Sequence, residues 1–205
     1  MRPIEYDISV TGGSIHVCEW NRKDSTGDNP VYLLIHGAGY SGSTWSALAP
    51  LLGHCIAPDL RGHGQTRLPA DSVALELLVK DILDFAVALE LRWSETCIVG
   101  HSLGGAVAAA VGRQVAPMSV VMIDISEGPA LRALEVMPGK LRMRPSSFPD
   151  MDAAVRWYRQ QCPKSRCPEE SMSGQVTSRG EGSLTWAVDL MLYQNDWTGW
   201  FIGMT

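Results

Sequence analysis

A serine flanked by closely spaced glycines is the residue of this chain whose surroundings point most directly to chemistry. Ser102 is the centre of Gly100-His101-Ser102-Leu103-Gly104, between an apolar run that predicts a strand and an Ala- and Gly-rich run that predicts a helix. In so tight a turn Gly100 and Gly104 cannot hold a Cβ, and the serine Oγ is forced outward. The pattern predicts a nucleophilic serine; a glycine-rich junction with an incidental serine is the alternative.

A second glycine-containing turn supplies groups that such a nucleophile needs. The segment His36-Gly37-Ala38-Gly39 directly follows the apolar run Val31–Ile35. Backbone N–H groups stabilise the oxyanion of a tetrahedral intermediate, and glycines let the backbone come close to a substrate. We expect the N–H groups of Ala38 and Leu103 to form the oxyanion hole. The segment's other members, His36, Gly37 and Gly39, are expected to support it, with a plain β-turn as the alternative.

An acidic residue follows a third apolar run. A serine hydrolase needs a general base and an acid that orients the base. Asp124 comes directly after Val120–Ile123, and the carboxyl ends of parallel strands are where α/β sheets present catalytic groups. We predict that Asp124 is this acid, with a helix or loop cap as its alternative role.

The general base has no good candidate in the chain. The expected order along the sequence is serine, acid, then histidine, yet no histidine follows His101. His63, in the turn Pro58–Gly64, is more simply explained as a structural histidine, with Asp59 and Arg61 bracing the neighbouring loops. We therefore expect the base to lie outside these 205 residues.

The elements that position these residues alternate between strands and helices. A hairpin is predicted over Ile4–Trp20, buried strands at Val31–Ile35, Cys55–Ala57, Thr96–Val99 and Val120–Ile125, and helices at Thr44–Leu52, Leu75–Leu89 and Leu103–Ala116. This alternation predicts a mostly parallel sheet with helices on both faces. We also expect Asp71 or Ser72 to cap the helix near Leu75, and Glu76 to pair with Lys80.

The sequence changes character after Ser126. Met, Trp, Pro and Arg become more frequent, and helical patterns are expected at Asp152–Gln161 and Leu184–Tyr193. This predicts two regions: residues 1–125 as the N-terminal part of an α/β core, and residues 126–205 as a cap or insert. The chain is expected to end before the C-terminal part of the core.

Composition excludes several classes of partner. The net charge is −5 and no block of Lys or Arg stands out, so neither nucleic acid nor an anionic membrane surface is expected as a partner. No apolar run is long enough to span a bilayer. Five scattered cysteines predict a reducing compartment, the cytoplasm, with the nucleus as an alternative. Cys162 and Cys167 could pair or bind metal, but they have no companion ligands, so no metal is predicted.

Several longer segments resemble one known family. They are Val31–Ser41, Asp59–Gly64, Gly100–Gly105 and Met122–Gly128, and, where general hydrolases would diverge, Arg142–Phe148, Asp152–Tyr158, Ser171–Val176, Leu184–Trp186 and Trp197–Phe201. Through them nearly the whole chain resembles the eukaryotic protein phosphatase methylesterases, which belong to the α/β-hydrolase superfamily.

The resemblance implies an α/β-hydrolase fold with an inserted helical cap, whose last strands are missing from this chain. It implies hydrolysis of the methyl ester on the C-terminal leucine of the type 2A protein phosphatase catalytic subunit, which is then the partner. The family's motifs map the nucleophile onto Ser102 and the acid onto Asp124. No cofactor is implied.

This chain departs from the family's pattern at two places. The family carries a long acidic insert where Thr177–Ser183 is a short link, and its catalytic histidine lies far beyond the segment that matches Trp197–Phe201. We expect a fragment that is nearly inactive alone and leaves Val120–Ile125 as an open sheet edge. A natural, inactive phosphatase-binding short form and a general serine esterase are the alternatives.

Overall fold

The fold consists of a central sheet with flanking helices and a smaller two-stranded sheet. The computed structural model describes residues 2–22, 30–161, 169–178, 180 and 182–204. The strands are β1 (Ile4–Val10), β2 (Gly13–Trp20), β3 (Val31–Ile35), β4 (His54–Pro58), β5 (Thr96–His101), β6 (Ser119–Ile123), β7 (Val176–Ser178) and β8 (Leu184–Trp186). The α-helices are α1 (Leu75–Ala88), α2 (Leu103–Gly112), α3 (Glu127–Arg142), α4 (Met151–Gln161), α5 (Glu169–Ser173) and α6 (Trp197–Phe201). Short 3₁₀ helices cover Gly42–Ala47, Ala49–Leu51, Trp93–Glu95 and Leu190–Tyr193.

The central sheet has the strand order β1-β2-β4-β3-β5-β6. β1 and β2 form the predicted hairpin and β2 pairs antiparallel with β4, whereas the β4/β3, β3/β5 and β5/β6 pairs are parallel. In the parallel part Ile35 pairs with Gly100, and His101 pairs with Ile123. The loops after β3, β5 and β6 therefore leave the sheet side by side at one edge.

The sheet is buried on both faces at β3. Leu33 and Ile35 pack with α1 and α2 on one face, and Leu34 packs with Trp45 on the other, as the alternation of side chains along a strand requires. Burying one such leucine contributes about 1.5–3 kcal/mol to stability. This two-sided burial explains why β3 reads as an unbroken apolar run, and it makes β3 a rigid support for the loop that follows.

The start of α1 differs from the prediction. The N-cap position is Ala74, which makes no side-chain cap. Ser72 instead donates its hydroxyl to the Asp196 carboxylate at 3.1 Å and accepts the Ala74 N–H at 3.1 Å. The Ser72 hydroxyl, which was expected to cap the helix, is therefore hydrogen-bonded to a residue distant in the sequence.

Two further local predictions need correction. Lys80 is hydrogen-bonded to Asp84, one turn later, rather than to Glu76. The pairs Glu76–Lys80 and Lys80–Asp84 both have i,i+4 spacing, so sequence separation alone could not choose between them. The second correction concerns α2, which ends at Gly112 instead of continuing to Ala116.

β6 is an edge strand with exposed apolar side chains. It pairs with β5 on one side, and no described strand pairs with its other side. Val121 is 46% exposed and Met122 is 49% exposed, and Val120 and Ile123 are also exposed. The open sheet edge expected from the sequence is present in the structure.

The region after Ser126 is more regular than expected. α3 was not predicted, whereas α4 closely matches the predicted helix at Asp152–Gln161. The helix predicted over Leu184–Tyr193 is wrong: Leu184–Trp186 forms β8, paired antiparallel with β7, and a 3₁₀ turn follows at Leu190–Tyr193.

Residues 126–205 contribute to two separate cores. Phe148, Ala154, Val155, Met172 and Val176 form a small cluster of their own. In contrast, the buried side chains of α6 belong to the main core together with those of α1, α2 and the sheet. The division of the chain at residue 125 stays a prediction, because the later region packs partly with the core and partly with itself.

A polar clasp, formed by Asp196, Trp200 and Val73, joins α6 to the loop before α1. The Asp196 carboxylate accepts the Val73 N–H at 2.8 Å, and the Trp200 indole N–H donates to the Val73 carbonyl oxygen at 2.9 Å. Satisfying these buried groups fixes where the end of the described chain lies on the core.

The described cysteines are buried free thiols. Burial raises the pKa of Cys18 to about 12 and that of Cys55 to about 11, so neither is a reactive thiolate at neutral pH. Cys162 and Cys167 lie outside the described residues. Within the described ranges, no helix is long and apolar enough to cross a bilayer, and no three metal-ligating side chains come together.

Candidate active site

Ser102 occupies the turn between β5 and α2 in a strained conformation. Its φ is 51° and its ψ is −118°, a region that residues with a Cβ rarely adopt. The turn is held in place because the Ser102 N–H donates to the Ile123 carbonyl oxygen of β6 at 3.0 Å. The side chain is partly exposed at the sheet edge where the loops after β3 and β6 also lie. Backbone strain at an accessible hydroxyl is typical of a nucleophile turn.

Close backbone packing explains the glycines around Ser102. A methyl group on Gly100 would overlap the Gly104 carbonyl oxygen, and one on Gly104 would overlap the Ile35 carbonyl oxygen. The next residue, Gly105, has Ile125 Cγ2 only 2.6 Å from the position of a Cβ. Their spacing is thus a steric requirement of the turn between β5 and α2.

His36 anchors the loop that follows β3. It is fully buried; its Nδ1–H donates to the Gly37 carbonyl oxygen at 2.8 Å, and its Nε2 accepts the Leu60 N–H at 2.9 Å. Burial lowers the pKa of His36 to about 4, so the ring is neutral at pH 7 and keeps both hydrogen bonds. Its role is to hold the loop.

The glycines of this loop allow two close approaches. A Cβ on Gly37 would lie 2.9 Å from Nδ1 of His101, and one on Gly39 would lie 3.2 Å from Cδ1 of Leu190. Gly39 also has a φ of +79°, which glycine adopts without strain. The loop therefore fits between the nucleophile turn and the 3₁₀ segment Leu190–Tyr193.

The N–H groups of Ala38 and Leu103 lack acceptors within the part of the chain that the structure describes. Ala38 follows the end of β3, and Leu103 is the first residue of α2, where N–H groups have no partner inside the helix. β3 and β5 are paired neighbours, so the two turns lie side by side. Such free donors beside Ser102 are suited to bind an oxyanion.

Asp124 follows β6 at the same edge of the sheet. Its φ is +53°, its side chain is exposed, and none of the described residues makes a hydrogen bond or ion pair with it. The N-cap position of α3 is Ser126, so Asp124 is not the cap of that helix. Burial lowers the pKa of the nearby His101, and the negative charge of Asp124 acts in the opposite direction by raising it.

Two of the five histidines lie in β2 and β4 and contact carboxylates there. The Nδ1 of His16 lies 3.0 Å from Asp7 Oδ1. The Nε2 of His54 lies 2.5 Å from Glu19 Oε1. Neither is available to Ser102.

The remaining histidines are also unsuited as bases. His63 is buried, its Nδ1–H donates to the Arg61 carbonyl oxygen at 2.9 Å, and burial lowers its pKa to about 3. His101 has its Nδ1 buried without a hydrogen-bond partner among the described residues. None of the described imidazoles is hydrogen-bonded to the Ser102 hydroxyl. That the base lies outside the 205 residues stays a prediction.

The turn after β4 braces the loops around the site. The buried Asp59 carboxylate accepts the N–H groups of Gly42 at 2.7 Å and Gln65 at 2.8 Å. Arg61 binds Asp81 of α1 through two hydrogen bonds of 2.8 and 2.6 Å. The bracing role predicted for Asp59 and Arg61 is confirmed.

Aromatic side chains that the sequence did not single out join the site to α4. The Tyr40 ring meets His101 edge-on, with the ring centroids 5.8 Å apart, and its hydroxyl lies 3.3 Å from that of Tyr158 in α4. The position of Tyr40, directly after His36–Gly39, is the local signal that could have identified it. Nothing local identifies Tyr158, which is 118 residues away in the sequence.

The sequence is similar to a defined set of proteins. A family model described as "Alpha/beta hydrolase family" matches residues 32–202. The chain is 37% identical over 197 residues to "Probable protein phosphatase methylesterase 1" of Caenorhabditis elegans, covering 87% of this chain and 52% of that protein. It is 33% identical over 199 residues to "Protein phosphatase methylesterase 1" of Schizosaccharomyces pombe, covering 87% and 57%. The chain thus spans little more than half the length of these relatives.

Solved structures have the same architecture. An alpha/beta hydrolase from Novosphingobium aromaticivorans superposes with a TM-score of 0.77 at 16% identity, covering 93% of this chain and 70% of that one. E-2-(acetamidomethylene)succinate hydrolase gives a TM-score of 0.74 at 21% identity, covering 98% and 73%. At these identities the likeness concerns the fold alone. The α/β-hydrolase fold and the family resemblance, both predicted from the motifs, are confirmed.

Proposed function

Since the chain belongs to the alpha/beta hydrolase family, we propose that it acts as a serine carboxylesterase of the protein phosphatase methylesterase type. The observation that carries this proposal is the strained turn of Ser102, with the free N–H groups of Ala38 and Leu103 beside it. The names of the relatives from Caenorhabditis elegans and Schizosaccharomyces pombe support the methylesterase type.

The proposed reaction proceeds through an acyl-enzyme. The Ser102 Oγ attacks the ester carbonyl carbon while its proton passes to a general base, and the oxyanion binds the N–H groups of Ala38 and Leu103. The C–OCH₃ bond then breaks, and the base returns the proton to the leaving group, which departs as methanol. Water, deprotonated by the same base, attacks the acyl carbon and releases the carboxylate, while the proton restores the Ser102 hydroxyl.

The general base is proposed to be a histidine outside the 205 residues. None of the five histidines is hydrogen-bonded to Ser102 in the described chain. The matched part of the Caenorhabditis elegans relative is only 52% of that protein's length. The free carboxylate of Asp124 is at the sheet edge where it could accept the Nδ1–H of such a histidine. In this proposal Asp124 holds the tautomer and stabilises the imidazolium.

The proposed substrate is the methyl ester on the C-terminal leucine of the type 2A protein phosphatase catalytic subunit. That subunit is then also the partner, with the cytoplasm or nucleus as the place where they meet. Support comes from the sequence similarity, which covers 87% of this chain, and from the contact between the hydroxyl groups of Tyr158 in α4 and Tyr40 beside the site.

The test compares residues 1–205 with a form extended by the C-terminal segment of a relative. We expect the extended form to release methanol from the methylated phosphatase subunit and to react with a fluorophosphonate probe, and Ser102→Ala to do neither. Residues 1–205 alone should show trace turnover. Equal turnover by both forms would refute the external base, and full turnover by Ser102→Ala would refute the nucleophile.

A phosphatase-binding protein without catalysis is the second candidate. The observation that favours it is that the described histidines leave Ser102 without a base while the cap remains folded. Capture of the phosphatase subunit by residues 1–205, with no fluorophosphonate labelling of the extended form, would support this alternative. A general serine esterase would hydrolyse simple esters and fail to capture the subunit.

A further inference from the structure

A pocket of about 280 Å³ lies between the end of α3 and the segment from β8 to the 3₁₀ turn at Leu190–Tyr193. Apolar side chains form part of its wall, among them Leu141, Val188 and Met191. Arg144 and Trp186 line it as well, and neither has a role in the proposed chemistry. We call this cavity the Arg144 pocket.

Arg144 is held in place by an aromatic ring. Its guanidinium carbon lies 4.7 Å from the centroid of Trp186. The Trp186 ring is itself fixed, because its indole N–H donates to the Pro145 carbonyl oxygen at 2.8 Å. A guanidinium held over the face of a fixed ring is restricted in position and keeps its five N–H donors.

The charge of Arg144 is uncompensated in the part of the chain that the structure describes. There, no carboxylate lies within 4.0 Å of its guanidinium, and no hydrogen-bond acceptor is paired with its N–H groups. The carboxylate of Asp189 also lines the pocket and keeps its charge. Its Oδ1 accepts the Met191 N–H at 3.0 Å at the start of the 3₁₀ turn, and it makes no ion pair with Arg144 among the described residues. The Arg144 side chain is partly buried, and this burial lowers the pKa of its guanidinium. A partly desolvated cation with unused donors favours an anionic ligand.

The Arg144 pocket is close to the candidate active site. Leu190, which lines the pocket, also packs against Gly39 of the oxyanion loop. On the other side, Arg144 lies near enough to Tyr40 to interact electrostatically with its hydroxyl, and Tyr40 contacts His101, the neighbour of Ser102. The pocket and the oxyanion loop therefore share Leu190 as a neighbour.

We propose that the Arg144 pocket binds an acidic side chain in the acyl portion of a peptide ester. The proposal rests on the esterase function proposed above. Methanol, the leaving group, has a single carbon, so a group that reaches Arg144 must belong to the peptide on the acyl side. A guanidinium binds a carboxylate through two parallel hydrogen bonds, which gives both affinity and orientation. The substrate class is then a peptide with an acidic residue near its C-terminal ester.

The test measures binding and turnover separately on the extended form. The probes are short fluorescent peptides ending in leucine methyl ester, in which one aspartate is moved along a neutral sequence, each with an asparagine counterpart. In a Ser102→Ala background, we expect the aspartate peptide to bind about ten- to a hundredfold more tightly than its counterpart at one position. Arg144→Gln should abolish this preference, and Arg144→Lys should restore part of it.

The matched control is Arg142→Gln, which removes the same charge from an exposed position outside the pocket and should keep the preference. Equal binding of aspartate and asparagine peptides at every position would overturn the Arg144 pocket as a subsite, even if the esters are hydrolysed. Equal weakening of both peptides by Arg144→Gln, with a lower free energy of unfolding, would also overturn it. Acid-selective binding without hydrolysis of any ester would instead support the subsite and overturn the esterase.

Discussion

Ser102 combines a reactive hydroxyl with a strained backbone. We expect Ser102→Ala and Ser102→Gly both to abolish ester hydrolysis and fluorophosphonate labelling, because each lacks the Oγ. The alanine variant should keep a free energy of unfolding within roughly 1 kcal/mol of the parent. Glycine adopts a φ near 51° without strain, so Ser102→Gly should be more stable than Ser102→Ala by about 0.5–1 kcal/mol. Urea unfolding of the two variants tests this, and a more stable alanine variant would contradict the strain.

Asp124 offers a test of the acid. In the extended form we expect Asp124→Asn to lower kcat on the order of 10⁴-fold, by analogy with serine protease triads. The fold should be unaffected, since the carboxylate is exposed and makes no hydrogen bond with the described residues. Asp152→Asn, an exposed change of the same kind in α4, is the control. A kcat near that of the parent would place the acid elsewhere.

The buried histidines His36 and His63 make stability depend on pH. Folding lowers their pKa values from 6.5 to about 4 and about 3, so below pH 6.5 the unfolded chain binds more protons than the folded chain. The free energy of unfolding should therefore be highest above pH 6.5 and fall as the pH drops, by up to about 1.4 kcal/mol per pH unit for each ring. Urea unfolding between pH 6.5 and 5 measures the slope.

A single variant isolates one of the two rings. His63→Asn retains a donor for the Arg61 carbonyl oxygen and removes one titrating group. The free energy of unfolding of this variant should depend less steeply on pH than that of the parent. The difference should equal the contribution of one ring, up to about 1.4 kcal/mol per pH unit. An unchanged slope would show that His63 is not the group that titrates.

At the scale of elements, α5 is docked through a glycine. Gly174, directly after α5, packs against Ser41 and Ser43, and a methyl group there would overlap the Ser41 hydroxyl. We expect Gly174→Ala to push the cap away from the 3₁₀ segment Gly42–Ala47 and to lower the free energy of unfolding by about 1–3 kcal/mol. Gly199→Ala, in open space within α6, should be neutral or stabilising. Similar effects of the two changes would argue against this docking.

The turn of Ser102 was predictable because its requirements are local. Two glycines at fixed spacing, a preceding apolar strand and a following helix are all contained in a dozen neighbouring residues. The strands β3 and β5 were predictable for the same reason, since burial on both faces demands an unbroken apolar run.

The elements after residue 125 were less predictable because they depend on distant contacts. α3 contains Pro138 and has no fully buried residue, so neither propensity nor an apolar stripe identifies it. β8 is stabilised by pairing with β7 and by backbone hydrogen bonds between Leu184 and Phe148, which are far apart in the sequence. The contact between Arg144 and Trp186 also joins residues that are far apart in the sequence. Their contact exists only once the cap has folded.

For the whole molecule, the exposed edge at β6 predicts self-association. Unpaired backbone groups flanked by apolar side chains favour pairing with another chain. We expect residues 1–205 to aggregate with increasing concentration and Val121→Lys to suppress this. Val87→Lys introduces the same charge at an exposed apolar position of α1, away from the edge, and is the control. Light scattering across a concentration series distinguishes them, and equal suppression by both would point to net charge instead of the β6 edge.

The clasp between Asp196, Trp200 and Val73 has a consequence for biosynthesis. Trp200 is hydrogen-bonded to a residue 127 positions earlier, so α6 cannot join the main core until almost all of the described chain has left the ribosome. Translation adds about 5–20 residues per second. The surface of α1 and α2 that α6 will cover therefore stays exposed for several seconds after α2 has been synthesised. Apolar surface left open during that interval favours association with other chains.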